Sequence, residues 1–259
     1  MVKLKNYNVA LKQIVLILTF FNLFSCAPKK QFVSRIEGKE INITNSIREK
    51  SEIENFIKPY REHIDKDLSL VLAFAPKTMD KIGEWQTPMG NFLSDITLEI
   101  ASPVFKSREN KTISICLLNH GGIRSTIPAG DVTARTAYEV MPFENSAFVV
   151  GLKGEQILEM IDYLITEKKP HPLSGLSFTI DKNNFPKNIE IQGKAFDKNA
   201  IYYIVTSDYL INGGDNMVFF KKAIEVYDLD YKLRNIIIDY FKNNKEIIAS
   251  PTIRINKEN

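Results

Sequence analysis

Two apolar runs in this chain each end in a turn carrying two adjacent glycines: "ISICLLNHGGIR" (113–124) and "IYYIVTSDYLINGGDN" (201–216). A short apolar run closed by turn residues fits a strand buried in a sheet, and paired glycines stop it sharply. Glycine also reaches backbone conformations closed to other residues and lets another group approach the main chain. The chain must therefore fold around buried strands that deliver two bare, polar-flanked loops.

The remaining pattern sorts into helices and strands. "SEIENFIKPYREHIDKDLS" sets Ile53, Ile57, Tyr60 and Ile64 at helical spacing, with Pro59 predicting a kink or break. "LVLAFA" (70–75) reads as a strand. "TPMGNFLSDITLEIA" puts Met89, Phe92, Leu93, Ile96 and Ile100 on one helical face, with Thr87 as cap and Pro88 in the first turn. "TISICLL" reads as a strand, "FENSAFVVGLKG" as extended, and "GEQILEMIDYLITEKK" as an amphipathic helix. "LSFTIDKNN", "IEIQG" and "IYYIVTSDYLI" read as short strands, "DLDYKLRNIIIDYFKNN" as a last helix, and "TIRI" as a terminal strand. Irregular alternation of this kind predicts mixed sheets layered with helices, an α/β (α+β) fold. No repeat or linker interrupts residues 46–259, which read as one domain. A formal charge of +3, with both signs interspersed, gives no basic stripe and argues against a nucleic-acid partner.

The first residues differ in kind. Lys3, Lys5 and Lys12 precede the apolar stretch "IVLILTFFNLF", which has signal-peptide length and falls short of the ~20 residues of a membrane span. Leu23-Phe24-Ser25-Cys26 resembles the lipobox of bacterial lipoproteins. That resemblance implies a signal peptide at 1–25, diacylation of Cys26, and a tether over 26–45. Ala27, rather than Asp, after the cysteine resembles outer-membrane sorting. The expected location is thus the cell envelope, at the periplasmic face of the outer membrane. The other cysteine, Cys116, lies inside "ISICLL" and reads as a small buried hydrophobe, so no disulfide is expected.

Three loops carry the chemistry. In the first, Gly121 and Gly122 lie between Asn119, an amide donor and acceptor, and Arg124, a forked cation suited to carboxylate or phosphate. The plain alternative is a strand-to-turn connection with Arg124 capping a local carbonyl. In "MPFENS", Phe143 is either a stacking plate for a planar ligand or a core plug, with Asn145 two residues on. In "SDYLINGGDN", Tyr209, Gly213, Gly214 and Asp215 bring an aromatic, a bare turn and a carboxylate together. A carboxylate accepts two hydroxyl hydrogen bonds. The alternative is a glycine-rich hairpin with a solvated Asp215.

Order and spacing extend this reading. "MGNFLSD", "NHGGIRSTIPAGDVT", "MPFENSAFVVGLKGEQI" and "VTSDYLINGGDN" resemble successive motifs of the C-terminal domain of 5'-nucleotidases, the family that includes UDP-sugar hydrolases. The resemblance covers about residues 70–256 and implies that family's fold and a nucleotide or nucleoside ligand. It implies Phe143 and Tyr209 as the rings enclosing the base, and Asp215 on the ribose hydroxyls. Asn119 and Arg124 would contact the base or the sugar–phosphate portion, and Asn145 would lie near the base. The stretch "IGEWQTPMGN" departs from the family in having no arginine before the matched helix.

The same family hydrolyses phosphate esters in a separate metallophosphoesterase domain that holds two metal ions. The chain has His63, His120 and His171 only, in none of the ligand motifs of that domain, and all three read as surface or turn residues. About 45 residues separate Cys26 from the first matched strand, against roughly 200 or more for such a domain. No G-x-S-x-G elbow, Walker loop or zinc spacing is present. The expectation is a binding domain with no catalytic residue, metal site or cofactor of its own. Hydrolysis would fall to a separate metallophosphoesterase subunit carrying two divalent ions. The alternatives are a non-catalytic envelope nucleotide- or nucleoside-binding lipoprotein, or a decayed domain kept for interactions.

Overall fold

Strand β9 (Ile201–Ser207) and strand β4 (Ser146–Lys153) pair antiparallel without interruption, from Ala147 opposite Ser207 to Lys153 opposite Ile201. In this computed structural model, which describes residues 5–22, 32–44 and 50–258, they form the middle of a five-stranded sheet. Strand β2 (Ile115–Leu117) joins β9 in parallel, with Cys116 opposite Val205, and β5 (Leu173–Ser174) pairs antiparallel with β2. Strand β10 (Glu225–Lys232) closes the other edge against β4, giving the order β10-β4-β9-β2-β5.

The sheet is buried on both faces, so its central strands are apolar at successive positions instead of alternating with polar ones. Side chains alternate across a strand. Val149, Val205 and Cys116 accordingly enter one interior, and Val150, Ile204, Ile115 and Leu117 the other. The first interior is filled by helix α3 (Pro88–Glu109) through Phe92, Ile96 and Phe105, and by helix α7 (Leu233–Asn243) through Ile236 and Phe241. The second is filled by helix α5 (Gly154–Glu167) through Ile157, Met160, Ile161 and Leu164. It also takes Phe178, Ile180, Ile191 and Ile255 from a second sheet. That sheet is ordered β11-β6-β7-β8, from β6 (Leu176–Ile180), β7 (Pro186–Ile191), β8 (Lys194–Ala195) and β11 (Ile255–Lys257). A two-stranded ribbon, β1 (Val71–Ala75) with β3 (Gly130–Thr133), leads into helix α4 (Ala134–Val140). The architecture is mixed α/β.

Local chemistry sets the helix ends. Thr87 Oγ1 accepts from the Gly90 N–H at 2.9 Å with Pro88 beside it, and Asn110 closes α3 in the left-handed conformation at φ 54°. Thr133 and Thr136 form a reciprocal cap on α4.

Several elements differ from the sequence reading. "EVYDLDYK" is strand β10 and not the start of the last helix, which begins at Leu233. "DYLI" is a short helix, α6 (Asp208–Ile211), capped by Ser207. Helix α3 continues past Ala101 through Pro103. Helix α2 (Ser51–Leu68) continues through Pro59, so the expected break does not occur there. The terminal strand is shifted from "TIRI" to Ile255–Lys257.

The chain divides into two compact units, Met1–Ser51 and Glu52–Asn259. The first contains helix α1 (Lys5–Asn22) and an exposed stretch, 32–44, without regular structure. No helix among the described residues is long and apolar enough to cross a membrane. Cys26 and the expected cleavage site lie outside the described residues.

One buried ion pair ties the C-terminal strand to the body. Arg254 Nη2 lies 2.5 Å from Asp95 on α3, its Nη1 donates to Ser94 Oγ at 2.9 Å and to the Leu173 carbonyl, and Ser174 Oγ donates to Asp95 at 2.6 Å. Removing one partner of a buried pair leaves the other charge uncompensated. Because the Asp95 side chain is one-third exposed, Arg254→Ala is expected at the low end, a loss of about 3 kcal/mol. Urea unfolding checks this, and a change below about 0.5 kcal/mol would remove the pair from the account.

Candidate functional site

The parallel and antiparallel pairings bring three loops to one end of the central sheet. Strands β2 and β9 run parallel, so the turns after Leu117 and Ser207 leave at the same end. Strand β4 runs the other way with Ala147 opposite Ser207, so its entry, 142–145, lies there as well.

The first loop is a 3-10 turn, His120–Gly122, entered from Asn119. Neither of its glycines has a positive φ, so freedom of that kind is not their purpose. A Cβ on Gly122 would lie 2.9 Å from Asn119 Oδ1, the far end of a side chain that could shift to admit it. The turn is held from behind by His171, whose Nδ1 accepts from the His120 N–H at 3.1 Å. Arg124 is exposed, with Nη1 3.4 Å from the Gly121 carbonyl and its guanidinium carbon 5.9 Å from the Phe143 ring centre. This is a loose cation–π approach.

The second loop is held by the start of α7. Buried Arg234 donates to the Pro142 and Phe143 carbonyls at 3.2 and 3.3 Å and pairs with Glu144, while Lys232 donates to the Glu144 carbonyl at 2.8 Å. The Leu233 N–H donates to the Asn145 carbonyl at 2.9 Å. The Arg234 hydrogen bond also holds the Glu144 carboxyl below its ordinary range. With its main chain fixed, Phe143 projects outward and remains 44% exposed, so it is not a core plug.

In the third loop Gly213 takes φ +88°, a conformation that favours glycine. Gly214 serves differently, because a Cβ there would fall 2.4 Å from the Tyr209 ring. Tyr209 is 45% exposed, and its hydroxyl donates to Asp215 Oδ1 at 2.9 Å. That bond to a carboxylate raises the Tyr209 pKa.

Asn119, Gly121, Gly122, Phe143, Asn145, Tyr209 and Asp215 line one cavity of about 290 Å3, near the ~300 Å3 floor for small-molecule sites. Arg124 stands beside Phe143, and Gly213 and Gly214 shape the turn without lining the cavity. A second cavity of about 320 Å3 lies among Thr78, Asn91 and Ile247–Pro251, lined by one lysine but no aromatic ring or carboxylate. The chemistry therefore favours the cavity at the sheet end.

Four residues behind this site escape sequence reasoning: Tyr163, His171, Lys232 and Arg234. His171, read as a surface or turn residue, lies in the loop after α5 but is buried there at 3% exposure, so its surface alternative is corrected. Cys116 is fully buried, and burial raises its thiol far above the ordinary range. Among the described residues no three His, Cys, Asp or Glu side chains form a group that fits a metal ion.

The family model described as "5'-nucleotidase, C-terminal domain" matches residues 71–222. The chain is 30% identical over 171 residues to the trifunctional nucleotide phosphoesterase protein YfkN of Bacillus subtilis, covering 61% of this chain and 11% of that protein. It is 23% identical over 235 residues to the 5'-nucleotidase of Vibrio cholerae, covering 88% of this chain and 40% of that one. The crystal structure of a 5'-nucleotidase precursor from Thermus thermophilus shares the fold, with TM-score 0.68 and 24% identity over 81% of this chain and 43% of that chain. The chain thus spans well under half the length of each.

The buried imidazole sets a pH dependence. Burial pushes His171 from 6.5 down to about 4, with His120 and Lys169 acting in the same sense and Asp215 and Glu167 against it. Between those values the unfolded chain binds a proton that the folded one does not, so stability is complete above pH 6.5 and falls toward pH 4. The full window is worth about 3 kcal/mol. His171→Gln is expected to lose this component of acid sensitivity in unfolding curves. Equal acid slopes for the two proteins would refute it.

Proposed function

The chain belongs to the 5'-nucleotidase C-terminal-domain family, and from that premise we propose that it is the nucleotide-binding, specificity-setting part of a 5'-nucleotidase-type phosphohydrolase. The observation that carries the reading is the convergence of Phe143, Tyr209, Asn119 and Asp215 on one cavity from three loops. In this reading Phe143 and Tyr209 stack on the base, Asn119 and Asn145 hydrogen-bond its polar edge, and Asp215 accepts from the ribose hydroxyls. Arg124, exposed beside Phe143, faces the phosphate. Hydrolysis falls to a separate metallophosphoesterase chain that carries two divalent metal ions. A lipid at Cys26 holds the domain at the cell envelope, on the periplasmic face of the outer membrane.

Base–aromatic stacking is worth about 1–3 kcal/mol per base, or roughly 10- to 100-fold in affinity. Phe143→Ala is expected to weaken AMP and adenosine binding by that factor in calorimetry. Undiminished binding would remove Phe143 from the site. AMP hydrolysis by the purified single chain with divalent metal would defeat the division of labour. For the anchor, Cys26→Ser is expected to move the protein from the membrane fraction to the soluble one, and unchanged fractionation would exclude a lipid at that position.

A further inference from the structure

Asp215 is held more tightly than a carboxylate that merely lines a cavity. It takes φ 50° and ψ 26°, in the left-handed region that Asp and Asn enter more readily than other non-glycine residues. Both of its peptide groups are held by tyrosine hydroxyls. Its N–H donates to Tyr209 Oη at 3.2 Å, and its carbonyl accepts from the Tyr163 hydroxyl at 2.7 Å. The carboxylate is held too, because Tyr209 Oη donates to Oδ1 at 2.9 Å. A phenol has one proton to give and lone pairs to receive. The Tyr209 hydroxyl spends its proton on Oδ1 and a lone pair on the amide of the same residue. Oδ2 takes no hydrogen bond among the described residues and lies 4.0 Å from the point where a Gly121 Cβ would stand, toward the first loop.

We infer that the Tyr209 hydroxyl is a positioning group. It locks the Asp215 carboxylate with Oδ2 presented to the cavity, and thereby makes the site selective for nucleosides with an intact 2',3'-diol. The inference rests on the nucleoside reading of the cavity. It separates two roles within one side chain: the ring, seated on Gly214, is a wall for the base, and the hydroxyl acts through Asp215 on the sugar. Without the hydroxyl, Asp215 keeps its charge but loses the bonds that set its orientation, so a diol must order the carboxylate as it binds. A sugar without hydroxyls makes no use of that orientation.

The test compares adenosine with 2',3'-dideoxyadenosine in calorimetry on the wild-type chain, Tyr209→Phe, Asp215→Ala and the double variant. Tyr209→Phe is expected to weaken adenosine about tenfold, which is about 1.4 kcal/mol. The dideoxy compound should change less than twofold. In the Asp215→Ala background the same change should have no further effect on either ligand. Because the readout is a ratio within each variant, partial unfolding lowers both affinities and leaves it intact. Equal weakening of both ligands by Tyr209→Phe would mean that the hydroxyl acts on the ring or the fold, and would overturn the inference while leaving nucleoside binding in place. A wild-type chain that binds neither ligand would instead overturn the nucleoside reading itself.

Discussion

The two-sided burial of the β4–β9–β2 sheet is the constraint from which the rest follows. A strand packed on both faces has no solvated side on which to carry polar groups, so chemistry is confined to the ends of the strands. The parallel pair β2 and β9 ends at one edge, and β4, antiparallel to β9, begins there. Three loops far apart in sequence are thus delivered to one place by pairing alone. Open sheets with parallel strands place ligands outside the carboxyl ends of those strands, and here the cavity lies at that end.

Two-sided burial also decides what was legible in the sequence. The runs "ISICLL" and "IYYIVTS" announce themselves because both of their faces are apolar, and the glycine pairs that stop them mark the loops. Helices α3 and α5 are legible from the spacing of their buried residues. Strand β10 was hidden for the opposite reason. It lies at the sheet edge with Glu225, Asp228 and Asp230 among its residues, and continues without a turn signal into the apolar face of α7. Helix α4 is too short to show a period, and its end is set by a reciprocal threonine cap. Pro103 lies inside α3, whose buried face outweighs a local preference against helix, while Pro59 lies inside α2, which has no buried residue.

The glycines teach a narrower lesson. From composition, both pairs read as sources of backbone freedom. In the fold only Gly213 needs a positive φ. A Cβ on Gly122 would meet the movable end of the Asn119 side chain, whereas one on Gly214 would fall 2.4 Å from the Tyr209 ring. Two glycines that look alike in sequence therefore answer to different neighbours, and both of those neighbours are cavity residues. At Gly214 the absence of a side chain is a packing requirement of the site.

The site residues were visible because they sit in the loops; what orients them was not, because it comes from elsewhere in the chain. His171 supports the turn of Asn119–Gly122 from beyond α5, Arg234 and Lys232 fix the loop that carries Phe143, and Tyr163 fixes the carbonyl of Asp215. Each support joins residues about 50 or more positions apart, so no local pattern can register it. Each is also a polar bond to main chain, which sets the course of a loop without entering the cavity. A ligand meeting loops already held in this way has less side-chain and backbone freedom to remove on binding, and more of its contact energy remains as affinity. Buried Arg234 and His171 and half-buried Tyr163 hold the three loops, and Phe143, Tyr209 and Asp215 line one cavity between them.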